Sequence, residues 1–184
     1  SHQCIVGNSY ELNVVYKGQT YSANEQLQNA FPIDTLMSFF LPPNDRSFPT
    51  GTYVFVQGKS DSFKTNYYLF KTYRNDTLKS SDLDDDQFGS VSLLNSLFNV
   101  NDILGEIALG KLPRPILFDV EENDTVRVEQ FALTEEYYKF LTDVNAQQSR
   151  SGTPFDPPPA NPNNNLSNGA LGYFAVAHKE EVTL

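Results

Sequence analysis

The feature that most constrains this chain is apolar alternation at period two, broken at short intervals by turn residues. Tyr10, Leu12, Val14 and Tyr16 alternate with Glu11, Asn13 and Val15, so one side of an extended backbone is apolar and half-buried. Lys17–Gly18 interrupts the pattern, and Gln19–Ala23 resumes it through Thr20 and Tyr21. This predicts a tight hairpin over Ser9–Ala23. Cys4–Ile5–Val6 reads as the end of a preceding strand. Ile33–Leu41 is expected to be a further strand, closed by Pro42–Pro43 and followed by a loop over Asn44–Gly51. Tyr53–Gln57 and Asn66–Tyr73 are strand-like. In the second of these, Tyr67, Leu69, Lys71 and Tyr73 share one face and Tyr68, Phe70 and Thr72 the other. Apolar residues on both sides mark a central sandwich strand. Val91–Leu109 fits a short helix and an irregular strand equally. Ile116–Val120 and Thr125–Ala132 predict a hairpin across Glu121–Asp124, and Ala170–Ala177 reads as the final strand, continued by His178–Leu184.

One segment carries the helical period instead. Thr134 is a fitting N-cap, Glu135 and Glu136 complement the positive end of a helix dipole, and Tyr137, Phe140, Leu141 and Val144 follow at i, i+3, i+4 and i+7. The expected fold is therefore mainly β, an antiparallel β-sandwich with one amphipathic helix near the C-terminus. The loop at 44–51 suggests a division. Residues 1–43 would form a small N-terminal β-hairpin unit, like the end of an immunoglobulin-like or prealbumin-like domain. Residues 44–184 would form the sandwich, with a helix over 134–147 and a closing strand over 170–178.

Composition narrows function mainly by exclusion. Thirteen Lys and Arg against 23 Asp and Glu give a formal charge of −10, which disfavours nucleic acid as a partner because phosphate contacts need clustered cations. The single cysteine, Cys4, has no partner for an intrachain disulfide, and with His2 and His178 it is too little for a structural zinc site. No stretch approaches the ~20 apolar residues of a membrane-spanning helix. No nucleophile elbow, His-Glu-x-x-His helix or phosphate-binding glycine loop is present, so the sequence points away from the familiar enzyme classes.

The remaining candidates are binding features. Asp82, Asp84, Asp85 and Asp86 can offer oxygen ligands to calcium, but they lack the spacing of an EF-hand loop, and a solvated loop with no cofactor is the expectation. Glu121, Glu122 and Asp124 fit a hairpin tip. Tyr67, Tyr68 and Tyr73 can supply a stacking surface for sugars or peptides, against the alternative that they pack in the core. The Pro- and Asn-rich stretch Pro154–Asn168 is long for a loop in a compact domain, and crosses from the helix to the last strand.

That stretch also carries a resemblance. Pro154–Phe155–Asp156–Pro157–Pro158–Pro159–Ala160–Asn161, then Asn165–Leu166–Ser167–Asn168–Gly169–Ala170–Leu171–Gly172–Tyr173–Phe174, resembles the closing signature of a family of Bacteroidota lipoproteins known as domain of unknown function 4249. Gly7, Tyr10 and Leu12 with Tyr16–Ala23, the Tyr67–Phe70 strand, and Asp124–Glu129 followed by Tyr137–Leu141 resemble it in the same order. The resemblance implies that the chain is the C-terminal two-thirds of a longer envelope protein, lipid-anchored to the outer membrane outside this chain. It further implies a non-enzymatic accessory role beside a TonB-dependent receptor, with a stand-alone glycan- or peptide-binding surface protein as the alternative. No catalytic residues come with it. Pro157, Pro158, Asn161, Asn168, Gly169, Leu171, Gly172, Tyr173 and Phe174 would be structural, with Asn168–Gly169 making the turn before the last strand. Asp34–Thr35–Leu36, Asp76–Thr77–Leu78 and Asp124–Thr125–Val126 resemble the short pattern on which exported proteins of that phylum carry O-glycans.

Overall fold

The structure is a computed structural model that describes residues 4–30, 32–42, 50–58, 65–79, 97–101, 120–148 and 162–184. Its elements are β1 (Ser9–Tyr16), β2 (Gln19–Gln26), β3 (Ile33–Leu41), β4 (Gly51–Gly58), β5 (Thr65–Arg74), β6 (Thr77–Lys79), β7 (Leu97–Asn101), β8 (Val126–Leu133), α1 (Glu135–Gln148) and β9 (Lys179–Thr183). β1 and β2 form one antiparallel hairpin and β3 and β4 another, while β5, β6, β7, β8 and β9 make an antiparallel sheet. In that sheet β6 and β7 share one edge of β5, and β8 lies between β5 and β9.

The expected hairpin over Ser9–Ala23 is present. Tyr16 faces Gln19 across a two-residue turn in which Lys17 (φ 50°) and Gly18 (φ 79°) are both left-handed. This is the turn whose twist matches paired strands, and glycine adopts it without steric cost. Ile5–Asn8, in contrast, is not strand. The Asn8 amide donates to the Ile5 carbonyl, and Gly7 (φ 85°) turns the chain so that its amide donates to Leu27.

Alternation along β5 divides the core in two. Tyr68 and Phe70 face Val126, Val128 and Ala132 of β8 and pack against Leu36 of β3, Val54 of β4 and Ala30. That contact stacks the β3–β4 hairpin on the large sheet as a sandwich. On the opposite face, Leu69 and Leu133 meet Leu141 of α1, with Tyr67, Phe131, Tyr137, Tyr138 and Phe140 around them. The helix begins where its sequence signal places it, with the Tyr137 amide donating to the Thr134 hydroxyl at 3.2 Å.

Two further expectations need correction. The division at 43/44 falls inside the β3–β4 hairpin, which pairs from Leu41↔Gly51 outward. Ala30 and Leu36 also share a core with Val54, Tyr68 and Phe70. The closing strand is Lys179–Thr183 rather than 170–178. Within 170–177 the ladder role falls to a side chain: the Phe174 amide donates to Asn165 Oδ1 at 2.9 Å, and Asn165 Nδ2 donates to the Phe174 carbonyl at 2.8 Å. Of Val91–Leu109, the described part is the strand β7. Residues 116–119 of the expected hairpin lie outside the described residues, and the Val120 amide donates to Thr52 at the start of β4.

Candidate functional site

The β1–β2 register determines which backbone groups face outward. Because Tyr16↔Gln19 closes the two-residue turn, the hydrogen-bonded pairs are Tyr16, Val14, Leu12 and Tyr10 with Gln19, Tyr21, Ala23 and Glu25. The amides and carbonyls of the alternate residues therefore point away from the hairpin. On β2 these outward groups are held by residues 165–168. The Ser22 amide donates to Ser167 Oγ and the Ser167 amide to the Ser22 carbonyl, both at 2.8 Å. Asn168 Nδ2 donates to Thr20 at 2.6 Å, and Asn165 Nδ2 reaches Asn24 at 3.4 Å. This segment is a strap along the β2 edge, and it ends in the left-handed pair Asn168 (φ 57°) and Gly169 (φ 71°), as the signature residues imply.

Between strap and hairpin lies a cleft of about 340 Å³ lined by Glu11, Ser22, Ala23, Asn24, Asn164, Asn165, Leu166 and Ser167. Glu11 and Asn24 face each other across the strands at a position that carries no hydrogen-bonded pair, where cross-strand side chains stand closest. Ser22 and Ser167 join their hydroxyls at 3.1 Å, and Asn165 is engaged with Phe174. Among the described residues, the side chains of Glu11, Asn24 and Asn164 have no partner, and all three are exposed. One carboxylate acceptor and two carboxamides, each both donor and acceptor, suit a ligand rich in hydroxyl or amide groups. The lining contains no nucleophile paired with a base.

The three candidate tyrosines do not meet in a groove. Tyr68 is a core residue, 2% exposed. Tyr67 is on the helix side, its ring 4.8 Å from that of Tyr138. Tyr73 shares that face of β5, with the Arg127 guanidinium over its ring at 3.8 Å. It anchors a charge lattice: Tyr73 donates to Glu129 Oε2 at 2.9 Å, and Arg127 and Lys179 contact Glu129 Oε1 at 2.8 and 3.2 Å. Lys179 also reaches Glu181 at 2.9 Å. Burial opposes the Glu129 charge, but the Tyr73 hydroxyl and the two cations hold its carboxyl below the usual range. At the β8 entrance Asp124 is lowered too, chiefly by the Glu121 amide at 2.8 Å, with Asn75 and Arg74 assisting. Asp124 thus braces the turn, as expected for that tip. Both shifts run opposite to what a general acid needs.

A second buried group is Glu25, 6% exposed, on the inner face of β2. Burial, followed by the nearby Glu25 carboxylate, pushes the Tyr173 phenol well above its ordinary range. The Tyr173 ring stacks on Tyr137 at 5.0 Å and lies 5.2 Å from Phe140, tying the signature segment to α1. Glu25 Oε2 has no hydrogen-bond partner among the described residues.

Asp82, Asp84, Asp85, Asp86, Pro157, Pro158 and Asn161 lie outside the described residues. Leu171 is exposed, and Gly172 adopts φ 126° beside Leu166. Among the described residues no cluster of three His, Cys, Asp or Glu stands in metal-binding proximity, and no helix is long and apolar enough to cross a membrane. Thr35, Thr77 and Thr125 are all exposed.

Among the described residues these features define a mainly β, antiparallel fold with one helix near the C-terminus and a strapped edge hairpin. The chain belongs to the family described as Domain of unknown function (DUF4249), whose model matches residues 1–183. No curated protein and no solved structure matches it.

Proposed function

We propose that this chain is a non-catalytic binding domain of the cell envelope, accessory to a TonB-dependent outer-membrane receptor. In this reading the cleft between β2 and the strap meets the receptor or its nutrient. The observation that carries it is the contrast between two sets of polar side chains. Arg127, Glu129, Lys179 and Glu181 of the large sheet are engaged with one another, whereas Glu11, Asn24 and Asn164 line an open cleft with no partner among the described residues. The envelope setting, the lipid anchor outside this chain and the Bacteroidota origin rest on the resemblance of the closing signature. A stand-alone glycan or peptide binder would use the same carboxamides, since Tyr67, Tyr68 and Tyr73 share no surface.

The test is a pull-down of the full-length, lipid-anchored protein from native membranes, with co-purifying proteins identified by mass spectrometry. It is run for the wild type and for Glu11→Gln combined with Asn164→Ala. The proposal expects a TonB-dependent receptor in near-stoichiometric amount, reduced by the double substitution. Recovery of the protein alone, followed by a hit on glycan or peptide arrays, would replace the receptor with an independent ligand.

A further inference from the structure

The hairpin has two edges, and they are treated differently. The β2 edge is closed by the strap, while the outward amides and carbonyls of β1, on Ser9, Glu11, Asn13 and Val15, have no partner among the described residues. An open strand edge is a template for another strand, and proteins usually blunt it with charge, proline or a bulge. β1 has no proline, pairs without a bulge, and carries one charge, Glu11. Its distal half is apolar and exposed, with Val14 at 44%, Val15 at 70% and Tyr16 at 59%.

We propose that β1 pairs antiparallel with β1 of a second copy of this chain, about a two-fold axis at Leu12. The strand is its own complement in that register. Ser9 meets Val15 of the second copy and Glu11 meets Asn13, so every outward backbone group of both strands is hydrogen-bonded. The only charge faces a carboxamide that can donate to it. On the inner face Leu12 meets Leu12, and Tyr10 meets Val14, as apolar cross-strand pairs. Centring the axis on Glu11 sets two carboxylates opposite each other and leaves Val15 unpaired; centring it on Asn13 leaves Ser9 unpaired. The result is an isologous contact that joins two hairpins into a continuous sheet. A single strand edge is smaller than a standard interface, and each copy carries a charge of −10. The dimer is therefore weak, with Kd about 1–100 μM, and is tightened by added salt.

The experiment is sedimentation velocity of the full chain across that concentration range, at low and high salt, for the wild type and Asn13→Pro. Proline at 13 removes an outward amide and leaves the hydrogen-bonded pairs of the hairpin intact. The proposal expects a concentration-dependent dimer that Asn13→Pro shifts to monomer. A geometric check does not depend on that variant folding. Leu12→Cys in a Cys4→Ser background places two thiols at a pair without mutual hydrogen bonds, where Cα atoms stand about 4.5 Å apart, within disulfide range. Mild oxidation should give a covalent dimer from Leu12→Cys and far less from Asn13→Cys. A wild type that stays monomeric throughout overturns the proposal, as does a dimer that resists cross-linking at position 12.

Discussion

Replacing Asn165 with Ala removes the side chain that replaces a strand partner for the closing segment. Its carboxamide exchanges hydrogen bonds with the Phe174 backbone at 2.9 and 2.8 Å and reaches the Asn24 carbonyl at 3.4 Å. At roughly 0.5–1.5 kcal/mol net for each of the two short bonds, the loss is about 1–3 kcal/mol. Because the site is half-buried, water can recover part of this, which places the expectation near 1–2 kcal/mol. With m close to 2 kcal/mol/M, the urea midpoint should fall by about 0.5–1 M at unchanged m. Hydrogen exchange at the Phe174 amide should accelerate at the same time, since its acceptor is gone. Asn164→Ala is the control: its side chain is exposed and without a partner among the described residues, so the change should stay within about 0.5 kcal/mol. If Asn165→Ala unfolds with the wild type and Phe174 remains protected, the strap is not fastened by the Asn165 side chain.

Phe70→Ala should cost about 3–5 kcal/mol, because the ring is 1% exposed at the contact between the sheets; a loss below 1 kcal/mol in chemical denaturation would contradict that packing. Glu129 and Asp124 are held below their ordinary range, so the stability they contribute is present above about pH 4 and lost as pH falls toward their folded values. Glu129→Gln should flatten that acid dependence, and an unchanged pH profile would show that the lattice is not coupled to folding. Tyr173 is shifted upward, so its contribution is present below about pH 10 and lost as pH rises through its folded value. Tyr173→Phe should reduce the alkaline loss and remove one of the late-titrating phenols from the wild-type absorbance curve, where Tyr67, Tyr73 and Tyr137 are raised as well. A titration in which every tyrosine ionises near pH 10 would contradict burial at this position.

The parts of the fold that are legible in the sequence depend on neighbours close along the chain. Lys17–Gly18 announces the β1–β2 turn because few residue pairs tolerate two left-handed conformations. Thr134 with Tyr137, Phe140 and Leu141 announces α1 because cap and stripe lie within two turns. Ala170–Ala177 alternates like a strand, but whether such a run joins a sheet depends on what faces its backbone. Here the Asn165 side chain does so, and the ladder starts only at Lys179. The cleft was equally hidden, because it arises where Ser22 meets Ser167 across 145 residues of sequence. The Asn-rich run Asn163–Asn164–Asn165 was its nearest signal. For the tyrosines the sequence held the answer: period two on β5 puts Tyr67 and Tyr73 opposite Tyr68, which rules out one shared platform.

The most direct test of the central claim is photo-cross-linking from the cleft in the native envelope. A photoreactive residue is placed at position 164 of the full-length protein, with position 135, on the exposed first turn of α1, as the comparison. One dominant cross-linked partner is expected from position 164, identified by mass spectrometry as a TonB-dependent receptor, and little from position 135. Equal cross-linking from both positions, or none from position 164 while the protein is folded and anchored, would contradict that claim.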